Sequence, residues 1–142
     1  MNTFRLAAAV AFAVASQGFA ACRKSPPRAM VSITSPTAGD TIRGSVVDVT
    51  LAVSGIELAP VAENRPGTAH HHLFLDVDAV TSGGPIPAGV PGIVHLGKAQ
   101  TAFHWDSVAP GPHRIIAVLA DPGHVPLQPP AGDTVTFVVV AP

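Results

Sequence analysis

The 142-residue chain contains one cysteine, Cys22, so no intramolecular disulfide can staple the fold. Met30 is the only methionine beyond the first residue. Scarce sulfur argues against a blue-copper centre and against a soft thioether copper site. Charge is scarce too: 12% of residues are charged, and 8 Lys+Arg against 9 Asp+Glu give a formal net charge of −1. Such a surface has no general field for attracting nucleic acid. After residue 21 no stretch reaches ~18 apolar residues without Pro, Gly or charge, so no membrane-spanning helix is expected there. No segment shows sustained helical periodicity. With 47% hydrophobic residues beside 13 Gly and 15 Pro, the chain fits neither a disordered acidic tail nor a helical bundle.

The first residues, MNTFRLAAAVAFAVASQGFAA, place one positive charge at Arg5 before an apolar run from Leu6 to Ala15 and small residues after it. That is the order of a secretory signal peptide, expected over residues 1–21. Cys22 directly after Phe19-Ala20-Ala21 resembles a bacterial lipobox, although Phe19 suits that signal poorly. Gly18 and Ala20 instead satisfy ordinary cleavage after Ala20. Two destinations follow, a soluble periplasmic protein and a lipoprotein anchored in the membrane through Cys22. Residues 22–29 read as a polar linker, and residues 30–142 as one domain of a size that can bury its own core.

Within that domain the promising segments are strands. Val46 to Val53 sets Val47, Val49, Leu51 and Val53 against Val46, Asp48, Thr50 and Ala52 with period two. Met30 to Thr34, His70 to Val77, Ile93 to Leu96, Ala99 to Trp105, His113 to Ala120 and Thr134 to Val140 also read as strands. His113 to Ala120 is apolar enough to be covered on both faces. Glu57 to Thr68 and Thr81 to Gly92 read as loops. The expected fold is all-β, a small immunoglobulin-like β-sandwich of six to eight strands, with a small β-barrel as the alternative.

Seven histidines carry most of the functional signal. In an extended His70-His71-His72, the first and third rings share one face with Asp76. His71 faces the core with Leu73, Leu75 and Val77. His70 and His72 are spaced to converge on one ion, with further ligands expected from His95, His113 and His124, each at an element end beside a Gly/Pro turn. Neutral imidazoles suit copper or zinc, and Asp76 or Asp121 could complete the site or orient a ring. Convergence of three or more ring nitrogens near one point would favour metal. Scattered histidines would instead be hydrogen-bonded core residues. No HExxH or other fixed ligand spacing occurs. His104, next to Trp105, reads as a surface or packing residue.

No catalytic residues stand out. Ser82 and Ser107 have neither a G-x-S-x-G elbow nor a paired base. Asp76 and Asp78 lie on one strand face, as solvated carboxylates commonly do. Lys98 is a possible anion contact without a phosphate loop before it. Arg114 is expected to pair with Asp106 or Asp121.

The segments HHHLFLD (70–76), PIP (85–87), HLGKAQT (95–101) and APGPHRIIAVLAD (109–121), followed by His124 and Pro129-Pro130, resemble an uncharacterised family of exported bacterial domains. It is known as domain of unknown function number 4399, and the resemblance spans roughly residues 69–140. It implies a periplasmic or surface location and a shared scaffold or site. It singles out His70, His71, His72, Asp76, His95, Gly97, Lys98, Gln100, Thr101, His113, Asp121 and His124. Leu127 stands where such domains carry a second late histidine, which would cost the site a donor if that histidine were a ligand. Residues 30–55 bear a weaker general likeness to bacterial immunoglobulin-like modules.

The leading expectation is an exported, non-enzymatic binding module, holding a transition metal (copper or zinc) or a small ligand through its histidines. The alternative is a structural or protein-interaction module of the cell envelope, with a protein partner. A metal-dependent enzyme ranks third.

Overall fold

The computed structural model describes residues 27–81 and 83–142. The expected signal peptide over 1–21, the Cys22 anchor, most of the 22–29 linker and Ser82 lie outside the described residues.

Nine strands, β1 (Met30–Ser35), β2 (Thr41–Arg43), β3 (Val47–Ser54), β4 (Glu57–Leu58), β5 (Thr68–Leu75), β6 (Ile93–Leu96), β7 (Ala102–Trp105), β8 (Gly111–Ala120) and β9 (Gly132–Val140), form two sheets. The smaller has the order β1-β3-β7, and the larger runs β2-β9-β8-β5-β4, with β6 also paired to β5. The all-β sandwich is therefore present. The strands that were not foreseen are β2, three residues long within a turn-rich segment, and β4, two residues long in a segment that reads as a loop. Val61–Glu63 adds a 3-10 turn.

Period two explains the core between the sheets. On β3, Val47, Val49 and Leu51 are buried and the residues between them are exposed. They meet Leu73, Ile115, Ala117, Leu119, Val135 and Phe137 from the larger sheet. Burying such side chains contributes about 1.5–3 kcal/mol each before conformational entropy is charged against it.

The larger sheet is covered on its other face as well. After β5 the chain turns at Asp76, in the left-handed region at φ 58°, and residues 77–81 and 83–92 fold back over the sheet. Ile86 packs there against Phe74, Val118 and Ala120, with Val77, Val80 and Ile93 around them. Thr68 to Phe74 are buried throughout, and this second, smaller core covers the outer face at Phe74. It also encloses the outer side of β5, where His70 and His72 lie.

Candidate metal centre

His70 and His72 project from the outer face of β5 and are 1% and 2% exposed. The β5–β6 register sets His95 directly opposite His72. His124 comes from the turn after β8, where Asp121 organises the backbone. The Asp121 carbonyl accepts the His124 N–H at 2.8 Å, and its carboxylate accepts the Val125 N–H at 3.0 Å. His124 is thereby held at φ 65°, a left-handed conformation that histidine tolerates better than most residues. One ring nitrogen from each of these four histidines lies within 4.8 Å of the other three.

The six ring-centroid separations fall between 4.7 and 5.6 Å. Four points with six nearly equal separations define a tetrahedron. A square-planar set would make two of the six longer by about 1.4-fold. An ion held tetrahedrally at an N–metal distance of about 2.05 Å would place imidazole centroids about 5.2 Å apart. The ring positions thus approximate those of four imidazoles around a tetrahedral ion, and the nitrogens, within 4.8 Å of one another, would draw in to edges of about 3.3 Å on binding it.

Electrostatics keep the buried rings neutral. Burial pushes His72 down to about 3 and His70 to about 4, and the neighbouring imidazoles push in the same direction. His95 is also lowered, by burial first and by His124 second. At neutral pH these rings therefore carry no charge, and each keeps one nitrogen lone pair. His70 Nε2 and His72 Nε2 are 3.0 Å apart, close enough for one to donate to the other. His72 Nδ1 is buried with no hydrogen-bond partner among the described residues. An orphan of that kind costs about 1–3 kcal/mol.

His113 does not join the cluster. Its Nδ1 is 2.6 Å from an Asp76 carboxylate oxygen and its Nε2 is 2.7 Å from the Ala109 carbonyl. Two acceptors require two ring protons, so this ring is suited to the imidazolium form and has no lone pair to give. Register explains the separation. Ala120 pairs with His70, and His113 stands seven residues earlier on β8, about 23 Å away along the strand. Asp76 is at that distant end too, where it also accepts the Arg114 N–H at 2.8 Å, and so it neither completes the cluster nor orients its rings. Asp121 acts on the cluster through the turn it organises.

The remaining candidates are also placed. His71 faces the inter-sheet core as its alternation requires, and its Nδ1–H donates to the Gln100 carbonyl at 2.9 Å. Lys98 is exposed, with no ion pair among the described residues. Arg114 pairs with Asp78 at 2.8 Å, rather than with Asp106 or Asp121. His104 is a surface residue bridging Asp48 and Asp106. Leu127 packs against the inter-sheet core, so a leucine there takes no donor from the four histidines that converge.

Two contributors were given no role at the site by the sequence reading. Gly97, in the turn that follows β6 and two residues after His95, leaves room for the His95 ring. The 85–89 loop forms one wall of a pocket floored by His72, His95 and His124. A glycine at i+2 from a ligand histidine was a signal available in the sequence; the position of the loop was not.

A family model described as a domain of unknown function, DUF4399, matches residues 49–140. The chain belongs to the DUF4399 family. The matched region holds all four converging histidines, and it begins upstream of the resemblance read from the motifs, taking in most of β3. No curated protein matches the chain. Among solved structures, a crystal structure of an engineered protein is similar with 12% identity and a TM-score of 0.50, over 82% of this chain and 21% of that one. The chain thus spans about a fifth of that protein's length. Fibronectin(III)-like modules of CbhA from Clostridium thermocellum are similar with 18% identity and a TM-score of 0.48, over 79% of this chain and 98% of that one. A CARDB domain from Pyrococcus furiosus, solved in complex with di-metal ions, is similar with 17% identity and a TM-score of 0.45, over 82% and 90% of the two chains. For the DUF4399 chain these likenesses bear on the fold alone.

Proposed function

We propose that this DUF4399 chain is an exported, non-enzymatic β-sandwich module that binds one zinc ion through His70, His72, His95 and His124. The observation that carries the reading is the convergence of four rings with six nearly equal centroid separations, close to those of four imidazoles around a tetrahedral ion. Copper(II) prefers a tetragonal arrangement and is the second choice on geometry, although it outranks zinc in intrinsic affinity for nitrogen donors. The neutral state of the buried rings supports the same reading.

A non-enzymatic role is favoured because four histidines fill a tetrahedral ion's coordination, leaving no position for a reacting water. Asp76, the acid/base candidate, is engaged with His113 and Arg114 far from the cluster. Export is supported by the order of Arg5, the Leu6–Ala15 run and the small residues after it. Among the described residues no helix is long and apolar enough to cross a membrane. A periplasmic protein and a lipoprotein tethered through Cys22 fit this reading equally. An envelope adaptor with a protein partner would be favoured by an exposed apolar patch on the 57–68 and 81–92 loops together with scattered histidines; the convergence of four of them favours the metal reading.

The test is elemental analysis and titration with Zn(II) and Cu(II) on untagged protein, wild type beside a His70→Ala/His72→Ala variant. One equivalent of tightly bound zinc, lost in the variant, is the expected result. Weak, substoichiometric binding unchanged by the variant would overturn it and leave the histidines as structural residues.

A further inference from the structure

The four histidines differ in how they are held. His70 and His72 are sealed within the sheet, His124 is fixed by its turn, and His95 is exposed on the four-residue strand β6. Beside the cluster lies a pocket of about 260 Å³. Its floor is His72, His95 and His124, and its walls are the 85–89 loop and Ile93. The loop is tied to the cluster, since Ile86 N–H donates to the His124 carbonyl at 2.9 Å. Among the described residues no carboxylate, ammonium or guanidinium lines the pocket. The volume is below the range of about 300–1,000 Å³ that accommodates drug-sized ligands, so it suits a small molecule.

From this asymmetry, and resting on the zinc reading above, we infer that the pocket admits an amino-acid-sized chelator, with amine and carboxylate donors on a short apolar side chain, which displaces His95 and withdraws the ion. The pocket is apolar where the side chain would lie and opens onto the ion's most exposed ligand. Zinc accepts a fifth ligand transiently, so the incoming donor binds before the old bond breaks. The exchange balances. The chelator's ammonium gives a proton to water, and its amine nitrogen and a carboxylate oxygen bond to the ion as the His95 ring leaves; water and a second chelator then take the places of His70, His72 and His124, and all four rings end as neutral imidazoles. The chelator's carboxylate charge is compensated by the ion, which the neutral rings leave at +2. The site is then one for handing over an ion rather than a permanent staple.

The test uses the full chain loaded with Co(II), a visible-absorbing substitute for zinc, and follows ion loss on adding alanine or valine. These probes share their donor atoms and differ only by carbon in the side chain. The expected rate rises in proportion to chelator concentration and is about fifteenfold greater for valine, at about fourfold per added carbon buried in the pocket. Ile93→Phe and, at the rim, Ala88→Phe should each reduce the valine rate to near that of alanine while retaining one equivalent of ion. Equal rates for the two probes, or rates independent of their concentration, would overturn the inference and leave the zinc reading standing. Failure of the wild type to take up one equivalent of Co(II) or Zn(II) would remove both.

Discussion

The ring of His95 lies directly over Gly97. A methyl group on Gly97 would come within 2.3 Å of Cε1 and 2.6 Å of Nε2, closer than real contacts allow. The backbone at Gly97 is not in the left-handed region, so its own conformation does not demand glycine. It is also tied from the other side, since Val61 N–H donates to the Gly97 carbonyl at 2.9 Å. A larger residue therefore has to be relieved by moving the His95 ring. Gly97→Ala is expected to weaken zinc binding roughly tenfold or more while shifting apo stability by under about 1 kcal/mol, as displacing one ligand ring does without opening the core. Competition titration against a coloured chelator, with urea unfolding of the apo protein alongside, checks both halves.

Zinc should stabilise the fold by mass action. At free zinc one hundred times its Kd the gain is about 2.7 kcal/mol, seen as a raised Tm that a strong chelator reverses. In the His70→Ala/His72→Ala variant the zinc-dependent part should vanish. Scanning calorimetry with and without zinc reads it directly.

The His113–Asp76 pair gives a pH dependence independent of the cluster. Burial works to lower the His113 value, but hydrogen bonds to Asp76 and to the Ala109 carbonyl outweigh it, and the net direction is upward. A histidine raised in the folded state contributes stability that is fully present below the unfolded value, about 6.5, and is lost as pH rises through the folded value. Wild type should therefore lose stability across that window relative to His113→Gln, which lacks the titrating ring. Urea midpoints measured from pH 5.5 to pH 8.5 would show the two curves converging as pH rises; parallel curves would contradict the pairing.

Ile86→Ala removes the anchor of residues 77–92 from the second core. The cost expected from the volume lost is about 2–5 kcal/mol, toward the low end because a surface segment can collapse into the gap. Zinc affinity should fall with it, since the loop is bonded to the His124 backbone. Denaturant titration and zinc competition on the same sample separate the two effects.

Period two carried the sequence reading a long way. It separates His71 from His70 and His72 and gives β3 its buried face, because alternation across a strand is a local property. What it lacks is register. Nothing local says that Ala120 rather than His113 pairs with His70, so His113 and Asp76 seemed as available to the site as His95 and His124. The turn at Asp121 shows in Asp-Pro-Gly, but the aim of the His124 ring depends on a left-handed residue within it. The Gly- and Pro-rich run before Gly92 was legible as irregular chain. Its packing over the outer face of β5 depends on apolar residues far away in sequence, Val118 and Ala120 among them.

All four converging rings stand outside the sandwich proper. The inter-sheet core is built from the opposite faces of the same strands, and His71, which does enter it, is no part of the cluster. The two sheets thus act as a chassis, and the chemistry is mounted on it with two detachable parts, the 77–92 segment and the 121–125 turn. An engineer could blank the site, change its donors or reshape its pocket by rewriting those parts and the outward positions of β5 and β6, leaving the inter-sheet packing untouched.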